Sequence, residues 1–382
     1  MRRTYKYKII PLGKTEETAF QWFNCCRQLY NCALKQRIYT YKDGGRASYV
    51  NQANELKAIK EQFPEYKKVF SQVLQDVLKR LDKSYQNFFR RVKEKNGKAG
   101  FPRFKGINWY RSFTYPQSGF TIRDNHLICS KLGEFKIRLH RQIEGKIKTC
   151  TIIHRSTGEW FVCFSCDFVP ENKLPATGKK VGIDLGLSHF AVDSDGKVVD
   201  APKFFRKQER YLRRCQRALV RKKKGAKNRE KARIKVAKVH QKIVNQRQDF
   251  AYKLANYYVN NYDHICVEDL RIKNMVRNKH LSKSFHDAAL GLFLEVLACK
   301  AENAGRLFEK KNPRRTSMTC SRCGHVQKMP LSQRVFLCEK CEHHECRDKN
   351  AAKNIKNKPA RSLSVSVKHA AVMAAGSEAQ VF

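Results

Sequence analysis

Two pairs of cysteines constrain the fold of this chain more than any other feature. Cys320 and Cys323 are separated by two residues, as are Cys338 and Cys341, and fourteen residues lie between the pairs. Turns of this form bring four thiolates around one tetrahedral ion, and Gly324 permits the tight bend that aims backbone amides at sulfur. Zinc is the ion expected. With all four positions filled by sulfur it has no open site for substrate, so it holds structure and does no chemistry. His325, His343, His344 and Cys346 are close enough to be rival ligands but read as neighbours of the site. The chain has fifteen cysteines, a basic N-terminus without an apolar signal segment, and no run of about 18 apolar residues. A soluble, intracellular protein without a membrane partner is expected, its cysteines being metal ligands and buried thiols and not disulfides.

Charge narrows the partner. Lys and Arg number 79 against 34 Asp and Glu, a formal charge of +45 in 382 residues. Compact folding works against that self-repulsion, and solubility does not require it. A polyanion is the expected partner: at one phosphate per ~1.7 Å of duplex, the excess matches roughly 75 Å of double helix, about 20 base pairs. The length and a 41% hydrophobic content allow two or three domains with real cores.

The periodicity then divides the chain. Residues 3 to 11 alternate as a strand that stops at Pro11, and a helical region follows, with Phe23, Cys26, Tyr30 and Ala33 on one face. Val69, Val73, Val77, Leu81, Tyr85, Phe88 and Val92 continue at spacings of three and four, while Gly44, Gly45 and Pro64 mark turns. From residue 100 to about 170 the pattern is one of short strands, so a helical bundle is inserted into a strand-rich domain. Cys163 and Cys166 alternate to opposite faces of one strand and are not expected to share a metal; Cys25 and Cys26 read as packing. Residues 171–180 read as a linker, and two long basic helices broken near Gly225 are expected between Phe205 and Tyr258. Residues 284–305 read as one helix ended by Gly305.

Three isolated acids stand out on this basic background. Asp184 lies in an apolar strand, where an unpaired charge is costly. Glu268 ends a buried strand in the sheet pattern of residues 262–270, sharing one face with His264 and Cys266. Asp348 precedes a helical stretch and, taken alone, reads as an N-cap. An acid on a first strand, a second at the end of a later strand and a third at a helix start after a long excursion form the arrangement of an RNase H-like nuclease. Several carboxylates are needed there because each Mg2+ takes hard oxygen ligands and two ions lie ~4 Å apart, one activating water and one stabilising the leaving oxygen.

In this order, GIDLGL, VEDL, CSRCG...CEKC and RDKNAAKNI resemble the split RuvC motifs of TnpB, the transposon-encoded RNA-guided DNA endonucleases related to type V CRISPR effectors. The similarity extends upstream to YQNFFRRVK and GFPRFKG and covers nearly the whole chain to about residue 357. It implies a mixed, multidomain α/β protein: a β-barrel-like wedge domain over 1–10 and 100–170, a helical recognition domain over 11–99, and a linker over 171–180. An RNase H-like RuvC domain follows over 181–315 and 346–357, with a zinc ribbon over 316–345 inserted and a tail over 358–382. Asp184, Glu268 and Asp348 match the family's catalytic acids, for two catalytic Mg2+ ions, and Cys320, Cys323, Cys338 and Cys341 its structural Zn2+ site.

The partners implied are a noncoding guide RNA made from the transposon end and double-stranded target DNA beside a short adjacent motif, with the protein a monomer on its RNA in the cytoplasm of a bacterium or archaeon. Tyr49, Gln75 and Thr114 align with residues that contact the adjacent-motif duplex; an amide such as Gln75 pairs bidentately with adenine. The chain departs from the family's pattern at Cys346, where an Asp is common, and at Cys299, where an aromatic often precedes Lys. Two alternatives stay open: an RNA-guided DNA-binding regulator without cleavage, and a RuvC-type junction resolvase.

Overall fold

The computed structural model describes residues 1–94, 99–330 and 332–359. The expected tail over 358–382 lies outside the described residues from 360 onward. The chain forms two compact units, one spanning Met1–Pro170 and one beginning at Glu171.

The first unit opens with strand β1 (Arg3–Pro11), in which Tyr5, Tyr7 and Ile9 are buried and their neighbours are not. The chain then leaves the sheet for helices α1 (Thr15–Lys42), α2 (Tyr49–Gln62) and α3 (Ser71–Lys93), with a 3-10 turn at Pro64–Lys68. It returns as β2 (Ser112–Tyr115), β3 (Phe120–Arg123), β4 (His126–Cys129), β5 (Gly133–Ile137), β6 (Lys146–His154) and β7 (Trp160–Asp167). These form one sheet in the order β2-β6-β7-β1-β5-β4-β3, every neighbouring pair antiparallel. The edge strands β2 and β3 are joined by residues 116–119 alone. A link of that length reaches at most about 18 Å, whereas the edges of a flat sheet of this width stand roughly 29 Å apart. The sheet must therefore curl toward closure. Helix α1 lays Phe23 flat on Trp160, ring centroids 5.7 Å apart, and Trp22 against Phe113 at 5.4 Å. Helix α3 adds Val73, Leu74, Val77, Leu78 and Leu81 to the same core. Cys25, Cys26, Cys163 and Cys166 are buried in this unit.

The second unit begins its regular structure with β8 (Lys180–Leu185), β9 (His189–Asp193) and β10 (Val198–Asp200). Helices α4 (Phe204–Val220) and α5 (Lys227–Asn261) follow, then β11 (His264–Glu268), α6 (Ile272–Arg277), α7 (Ser282–Ala288), α8 (Leu290–Asn303) and β12 (Leu307–Lys311). The last elements are the hairpin β13 (Val335–Leu337) and β14 (His344–Cys346), and α9 (Arg347–Asn357). The five-stranded sheet runs β10-β9-β8-β11-β12, antiparallel up to β8 and parallel from β8 through β12. One face of its central strands is apolar and covered by α5 and α8. Val181, Ile183, Ile265 and Val267 join Leu254, Ala255 and Tyr258 of α5 and Phe293 and Leu297 of α8 in one core. The alternate residues, including Gly182 and Asp184, face α9.

Two expectations are corrected. The helix expected over 284–305 is broken at Ala289, which takes the left-handed conformation at φ 54° and separates α7 from α8. The cause is tertiary. The Asp287 carboxylate accepts the Phe205 and Arg206 backbone N–H groups at 2.8 and 3.0 Å and pairs with Arg247 at 3.2 Å, so α7 is held to the start of α4 and α8 must turn away. Asp348 is not an N-cap: Cys346 holds that position and Asp348 lies in the first turn of α9, where a carboxylate still complements the helix dipole.

Candidate functional site

Parallel pairing of β11 with β8 sets Val267 beside Ile183, so the next position along each strand brings Glu268 alongside Asp184. The third acid arrives on α9, which packs on β8 at Gly182. A Cβ there would lie 2.1 Å from the Ala352 carbonyl oxygen and 2.5 Å from the Lys356 nitrogen, so only glycine admits the helix at this depth. From Gly182 to Asp184 the strand advances about 6.6 Å, and from Ala352 back to Asp348 the helix covers about 6 Å. Asp348 is thereby carried toward Asp184.

The electrostatics record the convergence. The half-buried Asp184 carboxyl is pushed up to about 7, first by burial, then by the charges of Glu268 and Asp348; the Arg347 guanidinium and the Leu185 backbone N–H oppose the shift. Glu268 is also raised by burial, against a hydrogen bond from Thr316 and the nearby Lys358 ammonium. The Thr316 hydroxyl donates to Glu268 Oε1 at 2.5 Å. Asp348 has Arg347 Nε at 3.7 Å and Arg334 Nη1 at 4.0 Å. A half-buried carboxylate whose proton affinity is raised by two more beside it at a sheet end suits divalent cations, which supply the positive charge that two arginines only partly provide.

The cysteines form the second centre. Cys320, Cys323, Cys338 and Cys341 place their sulfurs within 4.8 Å of one another, with Cys320–Cys341 at 3.7 Å and Cys323–Cys338 at 3.5 Å. Tetrahedral zinc with bonds of ~2.3 Å requires about 3.8 Å between sulfurs, so the set fits the ion. Gly324 takes φ 74°, the left-handed turn expected of it. His343 lies outside the group, with Nε2 near Glu345 at 3.4 Å and Ser321 at 3.5 Å.

Several supporting residues went unnoticed in the sequence. Asn350, fully buried, accepts the Ser321 N–H and donates to the Thr319 carbonyl, both at 2.8 Å. Asn354 donates to the Thr316 and Thr319 carbonyls at 2.9 and 2.6 Å. One turn apart, the two amides tie the helix that carries Asp348 to the segment entering the cysteine cluster. Their spacing of four was the available signal. In the first unit, Gln75 is exposed on α3, Tyr49 is half-buried at the start of α2, and Thr114 is buried. The Thr114 hydroxyl meets Arg80 Nη2 at 2.5 Å and Thr151 Oγ1 at 2.8 Å, which withdraws it from the surface.

The second unit is thus a mixed α/β fold that gathers three carboxylates on one sheet face and four thiolates beside the helix completing them. Its family follows from comparison with known proteins. Residues 163–279 match the OrfB_IS605 family, described as a probable transposase, and residues 291–355 the Cas12f1-like TNB domain. Residues 1–46 match a helix-turn-helix domain, although here they fold as β1 and the single helix α1. A Streptomyces pristinaespiralis protein named "Putative RNA-guided DNA endonuclease" is 34% identical over 93% of this chain and 89% of its own length. The Escherichia coli K12 protein named "Putative RNA-guided DNA endonuclease InsQ" is 31% identical over 92% of this chain and 91% of its own. Among solved structures, a Cas12f1 in complex with single guide RNA and target DNA superposes with a TM-score of 0.53, covering 91% of this chain and 83% of that one at 17% identity, a likeness of fold. The chain belongs to the TnpB/IS605 family that its motifs resemble. Among the described residues, no helix is long and apolar enough to cross a membrane.

Proposed function

We propose that this protein is an RNA-guided DNA endonuclease that hydrolyses its target at an RNase H-like, RuvC-type centre formed by Asp184, Glu268 and Asp348. The observation that carries the reading is the perturbation of Asp184 by Glu268 and Asp348, which β8, β11 and α9 bring to it from distant points of the chain. The names of relatives that align over nine-tenths of the chain support the guided reaction.

Two Mg2+ ions, when bound, would supply a hydroxide for in-line attack at phosphorus and neutralise the departing 3′ oxygen, leaving a 5′ phosphate. Asp184, Glu268 and Asp348 would hold these ions through their carboxylate oxygens. Thr316 orients Glu268, while Arg334 and Arg347 balance Asp348. The four cysteines would hold one structural Zn2+ as a zinc ribbon that anchors α9 through Asn350 and Asn354.

Within this reading the curled sheet of residues 1–10 and 100–170 is the wedge domain, the inserted helices over 11–99 the recognition domain, and residues from 181 the nuclease domain. The guide RNA and target duplex are the partners of the basic surface, where Arg213, Arg214, Arg217, Arg221, Lys222, Lys223 and Lys224 of α4 and its following turn are all exposed. Gln75, exposed on α3, is the residue assigned to read an adjacent-motif adenine. The protein would be expressed with its native flanking DNA, its co-purifying RNA sequenced, and the complex given guide-matched DNA beside a randomised motif library. Motif-dependent cleavage requiring both RNA and Mg2+ supports the reading. Specific RNA with guided binding and no cleavage favours the regulator, and absence of specific RNA removes both.

A further inference from the structure

A third donor cluster lies on the second unit's sheet, on β11 and β12. Cys266 and Glu309 are direct register partners, and His264 stands two positions before Cys266 on the same strand face. His264 Nε2 is 2.7 Å from Glu309 Oε2 and 3.3 Å from Cys266 Sγ, with Sγ to Oε2 at 4.0 Å. One donor atom from each residue lies within 4.8 Å of the other two.

We propose that His264, Cys266 and Glu309 form a second transition-metal site, suited to Zn2+ and separate from both the four-cysteine cluster and the carboxylate centre. Tetrahedral zinc requires about 3.6 Å between nitrogen and sulfur, about 3.3 Å between nitrogen and oxygen, and about 3.6 Å between sulfur and oxygen. The observed triangle meets this set when the imidazole moves roughly 0.6 Å from the carboxylate and roughly 0.3 Å from the sulfur, and the sulfur and carboxylate close by roughly 0.4 Å. One thiolate and one imidazole select zinc over magnesium, which prefers oxygen alone. Metal-bound carboxylates are themselves hydrogen-bonded, and here the buried Lys311 Nζ meets Glu309 Oε2 at 2.5 Å. The sulfur is buried while the His264 and Glu309 side chains are each 23% exposed, so an ion can enter from the side where water fills the fourth position. The site would clamp β11 to β12 two residues before Glu268 and fix the strand end that carries this acid.

Zinc would be measured by mass spectrometry on the full-length protein with its co-purified RNA, after dialysis against a weak chelator, with zinc-edge X-ray absorption on the same sample. The expected result is two zinc ions per chain and an average of about 2.5 sulfurs per zinc, midway between a four-sulfur and a one-sulfur shell. His264→Gln and Cys266→Ser should each bring the content to one and the average to about four sulfurs, whereas Cys215→Ser, a buried cysteine of the α4–α5 contact, should leave two. A wild-type content of one zinc with a shell of sulfur alone overturns the proposal without recourse to any variant. So does retention of two zinc ions by Cys266→Ser, which removes the thiolate from the ligand set.

Discussion

Asp184→Asn separates the two consequences of crowding carboxylates on one sheet end. In the metal-free protein the Asp184 carboxyl is raised from an ordinary 3.8 to about 7, by burial first and then by Glu268 and Asp348. Between those values the folded state keeps a proton that the unfolded chain has released. The stability this group contributes is therefore whole below pH 3.8 and lost as the pH rises through about 7. A difference of about three pH units sets a ceiling of ~4 kcal/mol. Between pH 5.5 and 8 that ceiling is ~2 kcal/mol, and because the side chain is only half-buried we expect about 1 kcal/mol. Asparagine keeps the shape without the charge, so in EDTA the variant should melt higher than wild type at both pH values, and its advantage should be larger at pH 8 than at pH 5.5 by roughly 2–4 °C. Thermal melts of both proteins at the two pH values measure this, since the titration of groups distant from Asp184 cancels in the difference. Added Mg2+ should raise the wild-type midpoint at pH 8 and barely move the variant, which should also have lost cleavage while retaining guide RNA. A variant that melts at or below wild type at pH 8 in EDTA would refute the convergence of the three acids.

Gly182→Ala forces backbone atoms of α9 away from β8, since its Cβ would fall 2.1 Å from the Ala352 oxygen; a loss of about 1–3 kcal/mol is expected, with cleavage falling more than RNA binding. Thr316→Val removes the hydroxyl that stabilises ionised Glu268, so the Mg2+ needed for half-maximal cleavage should rise about tenfold, most at low pH; an unchanged Mg2+ curve would remove Thr316 from the site. Cys320→Ser should abolish zinc retention by the four-cysteine cluster and expose the 316–345 segment to limited proteolysis, an effect that excess zinc should not reverse. Replacing Arg221, Lys222, Lys223 and Lys224 by alanine should flatten the dependence of log affinity on log salt by about three for single-stranded guide RNA, measured by filter binding at several salt concentrations.

The features legible in the sequence are those whose physics is local. β1 announced itself by alternation, Gly225 separated α4 from α5 as its position required, and the cysteine spacing alone specified a four-sulfur group. The acids were legible for a different reason: an isolated carboxylate in an apolar strand needs a partner, and a basic chain with three of them has few uses for the set. What stayed hidden depends on groups distant in sequence. Ala289 adopts a left-handed conformation because Asp287 is committed to the start of α4, some 80 residues earlier, and no propensity scale carries that information. Asn350 and Asn354 look like solvent-facing amides of a polar helix and are instead buried against carbonyls of the cysteine-bearing segment. His264 and Cys266 were seen to share a face, yet Glu309 joins them only through the register of β11 with β12.

This division has a functional consequence. The acids are supplied by β8, β11 and α9, and nothing in their local sequence fixes the distances among them. Those distances depend on the close approach at Gly182, the Thr316 hydroxyl and the two asparagine amides. Catalysis by charge placement tolerates displacements well under an ångström before rate is lost. The residues that set the spacing should therefore lower cleavage nearly as strongly as the acids do, while leaving zinc content and RNA binding closer to wild type.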